Sequence, residues 1–177
     1  MIAYLGLGSN LGQREANLRG GLDLLCGPAV EPLAASSLYE SAPVGPVQDQ
    51  PAFLNMVLQV ETRLEPLELL RHCLAVERRL GRHRQQEVPK GPRTLDVDLL
   101  LVQGVVRRWP DLELPHPQLP HRAFVVLPLL EITPDLSDPR DGSPLSALVS
   151  VLEGQRIQKK GPVHMTWPGP FSLGDRP

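Results

Sequence analysis

The 177-residue chain has few features that point to a membrane, a nucleic acid or an oxidising compartment. It has only two cysteines, Cys26 and Cys73, with no C-x-x-C spacing, and both sit in helix-like apolar patterns; buried free thiols are expected. No apolar run approaches the roughly 20 residues of a membrane-spanning helix. The start, Met1-Ile2-Ala3-Tyr4, lacks a charged stretch followed by an apolar one, so no secretory leader is expected and the chain is expected to be cytoplasmic. Eighteen Lys and Arg against 20 Asp and Glu leave a net charge of −2, which gives no electrostatic reason to expect nucleic acid or an anionic membrane as partner. There is no G-x-x-x-x-G-K-[ST] loop. Gly6-x-Gly8-x-x-x-Gly12 places its third glycine one position late for a dinucleotide fingerprint. Those glycines imply either a tight strand-to-helix turn or close approach of the backbone to a ligand.

The length suits one domain, expected over residues 1–154 and followed by a Gly/Pro-rich tail over 155–177 that is loosely held from about Glu153. Ile2 to Leu7 forms a first expected strand, and Leu18, Leu22 and Leu25 mark a helix over about 13–26. Leu33 to Glu40 is expected as one strand. Phe53 to Thr62 alternates, with Leu54, Met56, Leu58 and Val60 on one face and Phe53, Asn55, Val57, Gln59 and Glu61 on the other. Pro66 starts a second helix whose stripe is Leu69, Cys73, Val76 and Leu80, with Glu77 at its border between core and solvent. Val105 to Trp109 is expected as a short hairpin partner of the preceding strand, Ala123 to Ile132 as a helix or capped apolar turn, and Ser143 to Leu152 as a short helix. The order β-α-β-β-α-β implies an α+β domain of ferredoxin-like type, an antiparallel sheet flanked by helices in three αβα layers.

The most informative segment is Gly91-Pro92-Arg93-Thr94-Leu95-Asp96-Val97-Asp98-Leu99-Leu100-Leu101. On a strand, Asp96 and Asp98 share one face and Leu95, Val97, Leu99 and Leu101 the other. Two carboxylates whose Cα atoms lie about 6.6 Å apart on an apolar strand repel one another and resist burial. A divalent cation relieves both problems, and Mg²⁺ takes one or two carboxylates while keeping water and phosphate oxygens. The plain alternative is a solvated edge strand. Arg82, Arg84, Arg93 and Arg122 offer rigid forks that match phosphate oxygens, so the joint pattern suits a nucleotide triphosphate. His116 lies between two prolines, which aims its ring. Phe53 and Asn55 place an aromatic ring beside an amide, a common way to hold a flat heteroaromatic ring, although Phe53 also fits an ordinary core.

Gly8-Ser9-Asn10-Leu11-Gly12, Ser37-Leu38-Tyr39, Pro43-Val44-Gly45-Pro46, Gln48 to Asn55, Gly91 to Asp98 and Leu114-Pro115-His116 occur in one order. Over residues 1 to 150 the chain resembles the 6-hydroxymethyl-7,8-dihydropterin pyrophosphokinases of folate biosynthesis. The resemblance implies attack of the substrate's hydroxymethyl oxygen on the β-phosphorus of ATP, giving the pterin diphosphate and AMP. It implies two Mg²⁺ ions on Asp96 and Asp98, and ATP held by Glu77, Arg82, Arg84, Arg93, His116 and Arg122. Of these, Arg82, Arg84 and Arg93 would act with the aspartates in catalysis. It also implies a pterin site formed by Ser41, Ala42, Val44, Phe53, Asn55 and Phe124, with ATP and the hydroxymethyl dihydropterin as small-molecule partners. A monomer is expected. The 41–51 and 82–90 loops would close over the site. Lys90, Pro117, Asp111 and Glu113 depart from the family's pattern. A different metal-dependent phosphotransferase, or a non-catalytic pterin- or nucleotide-binding homologue, are the alternatives.

Overall fold

A computed structural model describes residues 1–44, 47, 49–82 and 91–162. In chain order the elements are β1 (Ile2–Ser9), α1 (Arg14–Leu25), β2 (Val30–Ala35), β3 (Leu38–Ser41), β4 (Phe53–Thr62), α2 (Pro66–Arg79), β5 (Asp96–Val102), β6 (Arg107–Arg108), β7 (Glu113–Leu114), α3 (Ala123–Ile132), α4 (Val149–Leu152) and β8 (Ile157–Gly161). The main sheet runs β5-β1-β4-β3-β8, with β2 on the other half of the same β4 edge, and every pairing is antiparallel. With β2 and β3 taken as one interrupted strand, this is the expected ferredoxin-like order.

Alternation along the central strands gives the sheet one apolar face. Ala3, Leu5 and Leu7 of β1 and Leu54, Met56, Leu58 and Val60 of β4 pack against Leu18, Leu22 and Leu25 of α1 and Leu69, Cys73 and Val76 of α2. The opposite face is apolar only in part. There Tyr4, Val57, Leu100 and Leu101 meet Val125, Val126 and Leu129 of α3 and Leu152 of α4. Burying both faces completes three αβα layers.

Four details differ from the sequence expectation, each for a tertiary reason. The strand expected over Leu33 to Glu40 breaks at Ser36 and Ser37, where the Ser36 Oγ accepts the Val57 amide (2.9 Å) in place of a ladder bond. On β5 the register shifts between the partners of Tyr4 and Leu5, so Leu101 joins Leu100 on the α3 side, away from Val97 and Leu99. A bulge of this kind puts two residues opposite one. Residues 107–108 pair with 113–114 in a separate two-stranded sheet and not with β5. Finally, the chain beyond residue 154 contributes β8, which pairs with β3 through Ser41↔Ile157 and Tyr39↔Lys159. The boundary expected at 154 therefore falls just before a strand that belongs to the sheet.

The thiols are unpaired, as expected, and burial raises both to about 12, with Asp23 adding to the effect at Cys26 and Glu77 at Cys73. Among the described residues no helix is long and apolar enough to cross a membrane.

Candidate active site

The cleft starts as a gap in the sheet's second face. Gly6 pairs with Asp98 and Gly8 with Asp96, so β1 carries no side chain beside either carboxylate. A Cβ at Gly6 would meet Leu100 at 3.2 Å, and one at Gly8 would come 3.2 Å from Asn55 Oδ1. These glycines thus form a floor approached closely by what lies above it, rather than the tight turn. The space over that floor is about 660 Å³ and reaches from Asp96 and Asp98 to Phe53, Asn55 and Phe124.

Three arginines converge on the aspartates. Arg82 donates to Asp96 Oδ1, Arg93 Nη1 to Asp96 Oδ2 (2.7 Å), and Arg122 Nη1 reaches Asp98 Oδ2 at 3.4 Å. Asp96, Asp98 and Glu77, which also pairs with Arg82, set three negative charges against these three positive ones, and the guanidinium forks have the shape that matches phosphate-type oxygens. Glu77 is not at a border with solvent: it is 1% exposed and does not line the cleft. Its Oε1 accepts from Arg82 Nη1 (2.6 Å) and from the Val97 amide (2.9 Å), so it holds the start of β5 and the buried Arg82, which pairs with Asp96 but does not itself line the cleft. Arg84, expected in the site, and Lys90 lie outside the described residues.

At the far end Phe53 and Asn55 point into the cleft from β4. Asn55 Nδ2 donates to the Tyr39 carbonyl (3.2 Å) and to Ser41 Oγ (2.9 Å), which turns Oδ1 toward Gly8. Among the described residues nothing donates to that oxygen. Ser41, Ala42, Val44 and Phe124 line the same end. The Arg93 guanidinium lies 5.5 Å from the Phe53 ring centre and that of Arg122 lies 5.7 Å from Phe124, so each ring is tied to one of the arginines that face the aspartates.

Sequence reasoning gave no role to Asn10, which couples the two ends. It is 1% exposed, exchanges bonds with Arg93 (Asn10 N to Arg93 O, 3.1 Å; Arg93 N to Asn10 Oδ1, 2.8 Å) and donates to Gln50 Oε1 (3.0 Å) and the Pro51 carbonyl (3.1 Å). An asparagine directly after a strand and before Gly12 is a turn signal, and that was the only local cue. Gln118 and His121 also line the cleft without having been expected.

His116 follows the cis Leu114–Pro115 bond and its amide bonds to the Leu100 carbonyl (2.7 Å). Burial, then Arg122, holds the imidazole below its usual range against the pull of Asp96 and Glu113. Its Nδ1 accepts the Gln118 amide (3.1 Å), which leaves the proton on Nε2. A second cleft of about 610 Å³ shares Asp98 and His116 and continues round the sheet edge between Leu70, Leu74, Leu99, Trp109 and Leu112. Asp111 and Glu113 sit on its rim.

Carboxylates and guanidiniums meet at the junction of two clefts, one lined by an aromatic–amide wall, an arrangement suited to the phosphotransferase class on an α+β fold. A profile of the 7,8-dihydro-6-hydroxymethylpterin-pyrophosphokinase family matches residues 4–134. A 2-amino-4-hydroxy-6-hydroxymethyldihydropteridine pyrophosphokinase of Bacillus subtilis is 46% identical over 132 residues, 74% of this chain and 77% of that one. A folic acid synthesis protein of Schizosaccharomyces pombe is 39% identical over 158 residues, 89% of this chain but only 21% of that protein. The fold recurs in the HPPK-DHPS of Plasmodium falciparum, with a TM-score of 0.68 at 15% identity over 86% of this chain and 44% of that one. The chain belongs to the 7,8-dihydro-6-hydroxymethylpterin-pyrophosphokinase family. That family's enzymes transfer pyrophosphate from ATP to 6-hydroxymethyl-7,8-dihydropterin in folate biosynthesis, and none of these relatives favours the non-catalytic alternative.

Proposed function

We propose that this chain performs that transfer with the triphosphate of ATP lying over Gly6 and Gly8, beside Asp96, Asp98 and the arginines that face them. The observation that carries the reading is the shared Asp98–His116 junction, which joins an acceptor cleft to a nucleoside-sized one. The pterin would lie between Phe53 and Phe124, with Asn55 Oδ1 accepting from one of its N–H groups and the 41–44 backbone along its edge. Arg82, Arg93, Arg122 and the Nε2–H of His116 would hold phosphate oxygens, Arg84 being part of the same proposal. The nucleoside would occupy the second cleft.

The donor set fits Mg²⁺. Among the described residues no cluster of three or more His, Cys, Asp or Glu exists. Two carboxylates on one strand face, each beside a β1 glycine, suit an ion that keeps phosphate oxygens and waters as its other ligands. Two such ions on Asp96 and Asp98 would supply charge neutralisation along the phosphates. The chain's own part is orientation. The arginines fix the β-phosphorus, and the aromatic pair fixes the hydroxymethyl oxygen in line with it, an arrangement in which positioning and charge supply most of the rate.

The test is product analysis of ATP, hydroxymethyl dihydropterin and Mg²⁺ with the purified chain. AMP together with the pterin diphosphate is expected, and release only when both substrates are present. ADP as the nucleotide product would assign the cleft to an ordinary kinase. Calorimetric pterin binding without AMP would make it a binding module.

A further inference from the structure

α3 begins without a cap of its own. Arg122 occupies its N-cap position, extended at φ −124° and ψ 109°, with no side-chain hydrogen bond to the first turn. An arginine has only donors and cannot satisfy the exposed N–H groups of a helix start. Its guanidinium is engaged elsewhere, toward Asp98 and over Phe124. The acceptor comes instead from 32 residues further along. Gln155 Oε1 accepts the Ala123 amide (2.9 Å) and Gln155 Nε2 donates to the His121 carbonyl (2.7 Å).

Those two groups belong to the peptide planes on either side of the Arg122 Cα. One side-chain amide therefore holds both planes, and with them the direction in which Arg122 leaves the backbone. Gln155 is itself anchored: its N–H donates to the Leu152 carbonyl (2.9 Å) at the end of α4, and two residues later β8 locks onto β3. It lies outside the 4–134 segment matched by the family profile.

We propose that Gln155 is a positioning residue for the reaction, aiming Arg122 at the phosphate-bearing face beside Asp98. The proposal rests on the reading of the cleft given above. In the full chain, Gln155→Ala is expected to lower kcat/KM for ATP about tenfold, since small misplacement of an orienting group is costly. The melting temperature should fall as well, because a cap is lost. In an Arg122→Ala background, the same change is expected to leave kcat/KM within about twofold while still lowering the melting temperature, because residues acting through one another are non-additive. An unchanged kcat/KM in Gln155→Ala, or an equal loss in both backgrounds, overturns the proposal. Should Gln155→Ala fail to fold, Gln155→Glu replaces it in the same cycle; it retains the acceptor for Ala123 but sets a carboxylate against the His121 carbonyl. Wild-type AMP formation reports on the cleft assignment alone. If the wild type releases none, the same ratios are read from calorimetric binding of a magnesium complex of a non-hydrolysable ATP analogue.

Discussion

Asp98 is the more open of the two strand carboxylates, with 32% of its side chain exposed against 22% for Asp96. It sits where the two clefts meet, so its loss removes charge from the reaction centre and little from the core. Asp98→Ala is expected to lower AMP formation by about a thousandfold, the upper range for removing one preorganised charge contact. Its melting temperature should stay within about 2 °C of wild type, as for substitutions away from core packing. A folded Asp98→Ala protein with wild-type turnover would sink the proposed metal site. The aspartate pair was legible because strand alternation is a local rule. Glu77 was not: α2 periodicity put it on the rim, while its partners, Arg82 and the Val97 amide, arrive from later in the chain and cover it. Asn10 escaped for the same reason, since three of its contacts are 40 or more residues away in sequence.

Helix and strand extents followed periodicity closely, with β1, β4, α1 and α2 near their expected bounds. What periodicity does not encode is the partner, and so the β2/β3 break, the β5 bulge and the β6–β7 pairing were not visible. Two adjacent glycines in α1 show how the partner decides an energy. A Cβ at Gly20 would meet Leu80 Cδ2 at 3.6 Å, ordinary contact, whereas one at Gly21 would lie 2.8 Å from Leu95 Cδ2. Alanine in a helix interior gains about 1 kcal/mol over glycine. At Gly20 that gain should survive, with Gly20→Ala stabilising by about 0.5–1 kcal/mol. At Gly21 the side chain that must yield belongs to Leu95, fully buried in the first core. Overpacking there costs about 1–3 kcal/mol, so Gly21→Ala is expected to destabilise by about 1 kcal/mol net. Urea unfolding of both variants checks the signs, and equal shifts would refute the packing explanation.

On the scale of the whole molecule, the second face of the sheet is shared between a core and a cleft, and the elements that border both must be tied together across layers. Glu131, in the last turn of α3, makes that tie: it accepts from Ser37 Oγ (2.7 Å), the Ser37 amide (3.2 Å) and Tyr39 Oη (2.7 Å), and pairs with Lys159 of β8 (3.0 Å). The Tyr39 carbonyl in turn holds Asn55, so the tie leads back to the acceptor end. A three-layer arrangement was foreseen, but this link was not, because β8 falls in a segment whose glycines and prolines suggest a loose end. Partial burial pushes the Glu131 carboxyl up, and the bonds from Ser37, Tyr39 and Lys159 outweigh it, leaving the group below its ordinary 4.5. A depressed carboxylate stabilises the fold at pH above its unfolded value, and the contribution is lost as pH falls through the folded one. Glu131→Gln removes the charge and one acceptor, and on a chain this size should lower the melting temperature at pH 7 by about 2–4 °C, on the order of 1 kcal/mol. The gap to wild type should hold constant down to about pH 5 and then close as the wild-type carboxyl takes up its proton. Thermal melts at intervals from pH 7 to 3 measure it. A gap that persists undiminished at pH 3 would show that Glu131 acts there by packing and not as an ion, and the cross-layer tie would then have to reside in the β3–β8 backbone pairing.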